Sequence, residues 1–419
     1  MADDCAGPAC ARAAGRACAT AAGPAAATAA TAIPDGVSKL AGAAAPERER
    51  ALSRLRALVE MDSPSGDAEL LSVVCETLAA RLSQLGARVE RVRGAAGDHL
   101  RASLPPVGDP GSARTLLLLA HYDTVWPGGE AARRPFEVRE GLATGPGVYD
   151  MKASLVMLEL ALGLLRDRGL AAAQETEIVI LSDEEVSSPS GREVVMSAAK
   201  RAGAVLGLEG PHADGALKTA RRGVATARLL VEGRESHAGI EAGAGVSATD
   251  ELLDQLQRLR TALDRVPGLE LNLGVLRGGT RPNVVAGRAS ADLGLRIATP
   301  DAERRLLALV GERPAVRDGA SARFELVAMR PIWPAADQSA LMAHVLRVGG
   351  ALGLRLEGRP APGAGDANFT GAAGIPTLDG LGPVGAGAHA LAERVSIDSL
   401  LRRAELLAAL LATPLPPLR

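Results

Sequence analysis

Aromatic side chains are nearly missing from this 419-residue chain: two Trp, two Tyr and three Phe make up 2% of it. Its core must therefore be built from Leu, Val, Ile and Ala. Lysine is almost as scarce. Only Lys39, Lys152, Lys200 and Lys218 occur among 47 basic residues, and the rest are arginine. With the abundant Ala and Gly this reads as a GC-rich genome, not as a phosphate-binding signal. No excess charge of either sign is present: 47 basic residues face 49 acidic ones, for a formal net charge of −2. That balance argues against a nucleic-acid binder, which carries a basic excess or stripe. No apolar run reaches the ~18 residues of a membrane-spanning helix. Cysteines are few: Cys5, Cys10 and Cys18 crowd the start, and Cys75 sits in a helical pattern. Such spacing fits neither a disulfide framework nor a zinc finger. No internal repeat is visible. What remains, 47% apolar and 23% charged, is ordinary for a soluble globular protein. The length allows two or three domains at roughly 150 residues each.

Residues 1–45 are Ala-rich and of low complexity. A secretory signal needs a basic start and a strongly apolar middle. This segment opens with Asp3 and Asp4 and is interrupted by Arg12 and Arg16, so a disordered extension on a cytoplasmic protein is expected.

From Glu47 periodicity appears. Leu52, Leu55, Leu58 and Val59 recur at helical spacing, and a second helix is expected over about 68–86. Ala87–Val92 and Leu100–Leu104 read as strands. Thr115–Ala120 and Thr176–Leu181 are apolar enough to be buried on both faces. Helices are expected over about 152–168 and 191–202, with Ala204–Leu208 as a further strand. This alternation is the mark of an α/β layered domain. Beyond Leu217 the texture changes. Val224–Glu232, a helix near 246–264, Leu269–Leu276, Ala289–Ile297, a helix near 301–312 and Ala322–Met329 follow in β-α-β-β-α-β order, a small two-layer domain. After Trp333 helices near 337–353 and 396–412 resume the first pattern. The layout is thus a tail (1–45), an α/β domain in two parts (46–215 and 330–415) and an inserted domain (216–329).

In open α/β sheets function collects at the carboxyl ends of strands. Three buried runs end in such residues: His121-Tyr122-Asp123, Ser182-Asp183-Glu184-Glu185, and Glu209. Asp150 opens a helix, and His389 sits in the Gly-rich stretch Gly385–His389. Read singly, Asp150 could merely cap its helix, and Glu184-Glu185 could be a solvated pair. Together, two imidazoles and three carboxylates (His121, Asp150, Glu185, Glu209, His389) suit two divalent ions, which need a carboxylate between them at about 3.5–4 Å spacing. Zinc fits these ligands, as do cobalt and manganese. Asp123, two residues after His121, can accept the imidazole N–H and fix its tautomer. Glu184, left over beside Glu185, is positioned in sequence as a general base.

Leu116–Pro127 (LLLLAHYDTVWP), Gly145–Lys152 (GPGVYDMK) and Ser182–Glu185 (SDEE), in this order, resemble the motifs of the co-catalytic di-zinc aminoacylase/carboxypeptidase family. That family includes acetylornithine deacetylase and succinyl-diaminopimelate desuccinylase. The resemblance covers roughly 47–415 and lies nearest the bacterial glutamate carboxypeptidase branch. It implies a zinc-peptidase-like domain with a mixed central sheet, interrupted by a dimerisation domain. Asp150 would bridge the metals, His121 and Glu209 would complete one site, and Glu185 and His389 the other. In the inserted domain, Lys218–Gly223 followed by Gly233–Gly239 (GRESHAG) implies that His237 reaches the active site of a second subunit and polarises the scissile carbonyl. Asn283 and Arg296 match positions that bind the substrate carboxylate, for which an Arg fork is suited. The implied protein is a homodimeric hydrolase of N-acyl amino acids or short peptides that releases a C-terminal residue, glutamate first. A deacylase of N-acetyl or N-succinyl amino acids is the alternative within the class. An aminopeptidase and a non-catalytic homologue stand further off.

Overall fold

The computed structural model describes residues 33–106, 115–335 and 339–418. Residues 1–32, with Cys5, Cys10 and Cys18, lie outside the described residues.

Six strands form the central sheet in the order Arg88–Val92, His99–Leu104, Thr176–Leu181, Thr115–His121, Ala202–Gly207 and Thr377–Leu378. The first two ladders are antiparallel and the other three parallel, so the sheet is mixed. Every residue of Thr115–His121 and Thr176–Leu181 is buried, because helices cover both faces. Leu116, Leu118 and Ala120 join the core built with helices Ala153–Asp167 and Ile397–Ala412. Leu117 and Leu119 point the other way, onto Val194, Val195 and Ala198 of helix Gly191–Ala199. Each such buried Leu contributes roughly 2 kcal/mol, and this replaces the missing aromatics.

The inserted segment has its own core. Its sheet runs in the order Leu269–Gly278, Arg288–Ile297, Gly223–Glu232, Ser321–Arg330 and Gly311–Arg313, all antiparallel. Helices Ala248–Leu263 and Pro300–Leu307 cover one face, packing on Ala225, Ala227, Leu229, Leu293 and Leu295. Ser247 and Thr299 cap these helices, accepting from Asp250 N and Ala302 N, which fixes where each begins. The β-α-β-β-α-β order read from the sequence is present. The helix expected to reach residue 312 stops at Leu307. Gly311, at φ +122°, turns the chain instead into an edge strand paired with Ala322–Phe324.

The expectation of a disordered tail as far as residue 45 is corrected for its last part. Val37 and Leu40 are fully buried in the main core, and Ala44 N donates to Glu405 Oε1 at 3.0 Å. Two apolar residues one helical turn apart are enough to anchor an otherwise plain stretch. Several short strands also went unread, among them Leu142–Thr144, Gly385–Ala386 and Arg394–Ser396, which pair into a small separate sheet. Strands of two or three residues carry no alternation to detect. No helix among the described residues is long and apolar enough to cross a membrane.

Candidate metal centre

The site gathers where parallel strands end on one side. His121 is the last residue of its strand. The neighbouring Thr176–Leu181 runs out into the Glu184–Val186 turn, and Ala202–Gly207 leads to Glu209. Asp150 arrives on the loop before helix Ala153–Asp167. Gly147 allows that loop to form: its φ is +70°, and a Cβ there would lie 2.5 Å from Thr124 Cγ2. His389 comes from the loop between Gly385–Ala386 and Arg394–Ser396.

Asp150 lies between the two imidazoles. Its Oδ1 is 3.2 Å from His121 Nε2 and its Oδ2 is 3.3 Å from His389 Nε2. Glu209 Oε1 stands 3.5 Å from His121 Nε2, and Glu185 Oε2 stands 3.0 Å from His389 Nε2. Donor atoms of His121, Glu184 and Glu209 fall within 4.8 Å of one another, as do those of Asp150, Glu185 and His389. Asp123 is fully buried and does more than the sequence suggested. Its carboxylate is 3.3 Å from His121 Nδ1 and accepts the backbone N–H of Glu184 and of Glu185, both at 3.1 Å, and the Ser65 hydroxyl at 2.6 Å. One side chain thus orients the imidazole and the acidic pair together.

The electrostatics are those of an acid-rich site that draws in positive charge. Burial disfavours a charged His121, yet hydrogen bonds to Asp123, Asp150 and Glu209 hold its pKa well above the usual value. His389, facing Asp150 and Glu185, is raised to about 10. Asp150 is buried, but its two imidazole partners push its carboxyl far down. Burial raises Glu184 well above the ordinary range, with Arg330 opposing, and raises Glu185 as well. Metal binding to such residues displaces the imidazolium protons. Glu185 Oε1 is buried without a hydrogen-bond partner. That open acceptor and the paired His–carboxylate sets suit two divalent cations.

A cleft of about 330 Å³ opens over these residues, lined also by Tyr149, Lys218, Arg221 and Arg330. Sequence reasoning missed Arg330. It ends the last inserted strand, where the chain returns to the first domain. Its Nη2 reaches Glu184 Oε1 at 2.8 Å, Glu184 O at 2.6 Å, Ser188 Oγ at 3.1 Å and Asp366 Oδ1 at 3.3 Å. Its Nε is buried and unpartnered. Lys218, its pKa lowered by burial, has no side-chain hydrogen bond or ion pair among the described residues. An Arg at the domain crossing was the available signal.

Arg296, expected to hold the substrate carboxylate, is exposed and does not line the cleft. It pairs across from Val224, which in turn pairs with Arg330. The two arginines therefore share one cross-strand row and one sheet face, two strand spacings apart, roughly 10 Å. His237 and Asn283 also stand outside this cleft. Both are exposed, His237 on and Asn283 just before a two-strand ribbon, Ser236–His237 with Val284–Val285, where Ala238 N donates to Asn283 O at 3.0 Å. His237 Nδ1 accepts from Gly239 N and Ile240 N, both at 3.1 Å. That assigns the proton of the neutral ring to Nε2.

Comparison with known proteins agrees with this geometry. The family described as peptidase family M20/M25/M40 matches residues 117–413. Carboxypeptidase G2 of Pseudomonas sp. (strain RS-16) is 29% identical over 381 residues, covering 88% of this chain and 90% of the relative. Succinyl-diaminopimelate desuccinylase of Stenotrophomonas maltophilia is 28% identical over 357 residues, covering 78% and 90%. Among solved structures, aminopeptidase PepT from Bacillus cereus aligns with a TM-score of 0.65 at 22% identity, covering 87% of this chain and 98% of that one. An M20 family metallo-carboxypeptidase from Sulfolobus solfataricus aligns at 0.63 and 16%, covering 86% and 98%. These structures share the fold. The chain belongs to peptidase family M20/M25/M40, a family of metallopeptidases and amidohydrolases.

Proposed function

We propose that the protein hydrolyses the amide bond of N-acyl amino acids or short peptides and releases a C-terminal amino acid, glutamate first. The observation that carries this reading is Asp150, with one carboxylate oxygen toward each imidazole. His121 and Glu209 would hold one divalent ion, Glu185 and His389 the other, and Asp150 both. Zinc is the first candidate, and cobalt or manganese suits the same donors. When bound, such ions polarise an amide carbonyl and acidify water.

The chain's own residues do the rest. Glu184 takes a proton from the attacking water and returns it to the leaving nitrogen. Asp123 holds the His121 ring and the Glu184-Glu185 backbone in place. His237 and Asn283 do not line their own cleft, so we assign them to the active site of a second copy in a homodimer, where His237 Nε2–H donates to the developing oxyanion. Arg330, which lines the cleft beside Glu184, is the guanidinium best placed for the substrate's terminal carboxylate, and Arg296 stands further out in the same row. The unpaired ammonium of Lys218 in the cleft supports a second anionic group on the substrate. That group is either a glutamate side chain or an acidic acyl group, so an N-succinyl amino acid deacylase is the second reading. We place the protein in the cytoplasm, in keeping with a single, free, buried cysteine among the described residues.

Amino-acid release from a panel that varies the acyl group and the C-terminal residue separately, with and without chelator and added zinc, tests both readings. Chelator-sensitive release of glutamate from several acyl groups supports the carboxypeptidase. Release that follows one acidic acyl group across many amino acids supports the deacylase. No release from any member with metal bound overturns both.

A further inference from the structure

Glu393 is 1% exposed and has no Lys or Arg within ion-pair distance among the described residues. Four N–H donors surround its carboxylate instead. Oε1 accepts from Tyr149 N at 2.8 Å and Asp150 N at 3.0 Å, and Oε2 accepts from Gly147 N at 2.9 Å and Trp126 Nε1 at 3.0 Å. These donors come from two segments that each carry a candidate ligand: the stretch after His121 and Asp123, and the loop that presents Asp150. Glu393 itself stands four residues beyond His389, immediately before strand Arg394–Ser396. Three of the polypeptide pieces that form the cluster therefore meet at one buried carboxylate. Asp150 and Met151 lie outside helical geometry, at φ/ψ of −116°/89° and −134°/36°. In this loop Val148 N and Lys152 N find main-chain partners in Gly145 O and Gly147 O, while the N–H groups of Gly147, Tyr149 and Asp150 are taken up by Glu393.

We infer that Glu393 is a positioning residue: it clasps the Asp150 loop so that the Asp150 carboxylate stands between His121 and His389 at the spacing two divalent ions require. The same hairpin acts on Asp150 twice, through His389 at the carboxylate and through Glu393 at the backbone. Ionised carboxylates make strong bonds to backbone N–H groups, and a ligand set must be held to within ~0.5 Å to bind with full affinity. An amide in place of the carboxylate would turn an NH₂ group toward two of the four donors and release one side of the clasp. This inference rests on the two-metal reading above.

Zinc titration of metal-free protein tests it, with thermal unfolding of the same metal-free samples alongside. Glu159→Gln serves as the comparator. Glu159 is equally buried, is paired with Arg54 and Arg81, and lies outside the metal cluster. Glu393→Gln should weaken binding of at least one of the two zinc ions about 10- to 100-fold, the usual cost of losing support behind a ligand. Glu159→Gln should lower the unfolding temperature and leave both zinc affinities unchanged. Two zinc ions bound by Glu393→Gln with wild-type affinity would overturn the inference and leave the two-metal reading standing. Failure of the wild type to bind two ions would overturn both. If Glu393→Gln does not fold, Trp126→Phe removes one of the four donors: a smaller weakening in the same direction supports the clasp, and wild-type affinity refutes it.

Discussion

Arg330 donates to Glu184 twice, to the main-chain oxygen at 2.6 Å and to the carboxylate at 2.8 Å. The proposed base is thus gripped by the guanidinium proposed to receive the substrate's carboxylate. Binding and proton transfer share one element, and their variants must be read together.

Replacing Glu184 with Gln should lower kcat by at least about 100-fold, the usual contribution of a positioned general base, while zinc content stays at the wild-type level. The amide keeps the shape and can still accept from Arg330. A variant that retains most of its turnover would remove Glu184 from the role of base.

Arg330→Lys should raise KM for a substrate with a free C-terminal carboxylate by about 10- to 100-fold, since a lysine cannot offer the two-pronged contact. It should cost far less with the C-terminally amidated analogue, which separates carboxylate recognition from any general disturbance of Glu184. Arg296→Ala, further out in the same row, should shift KM by less than about threefold, in the range of exposed charge contacts. The reverse ranking would restore Arg296 as the carboxylate anchor.

The segment before residue 46 should matter for stability. Leu40 is fully buried, so Leu40→Ala should cost about 2–5 kcal/mol, measurable in urea. A loss below ~0.5 kcal/mol, ordinary for a surface change, would return this stretch to the disordered tail.

His344 provides a pH test remote from the metal cluster. Burial, then the nearby Arg347, depresses its pKa to about 4. Above about pH 6.5, the ordinary His value, neither folded nor unfolded chain binds this proton and the residue contributes no pH dependence. As the pH falls from about 6.5 toward 4, the unfolded chain takes up a proton that the native state refuses. Stability then drops by up to about 1.4 kcal/mol per pH unit. His344→Leu should flatten that limb of the unfolding curve between pH 6.5 and 4. An unchanged limb would contradict the assignment.

What the sequence made legible follows from contrast. The apolar runs of Thr115–Ala120 and Thr176–Leu181 announced buried strands, and a His or acid shortly after such a run stands out, so His121, Glu184, Glu185 and Glu209 could be singled out. Asp150 stood out as an acid at the opening of a helix, and His389 through the Gly-rich stretch that carries it. Arg330 was hidden because its meaning depends on Glu184, 146 positions earlier in the chain. Glu393 was hidden for the same reason: its partners are backbone N–H groups, which leave no trace in residue type. Val37 and Leu40 were lost against an Ala-rich background too weakly apolar to show a period. The expectations for His237 and Asn283 came only through the family resemblance, because a surface pattern of polar residues carries no period at all; their assignment to a second copy is the proposal made above.

Zinc counting tests the central claim most directly. Metal-free wild type and the variants Asp150→Asn and His389→Ala would be loaded with zinc, desalted and measured for zinc per chain. The account predicts two ions in the wild type, one in His389→Ala and at most one in Asp150→Asn. A wild type that holds a single ion, or an Asp150→Asn chain that still holds two, would contradict a centre in which Asp150 serves both imidazoles.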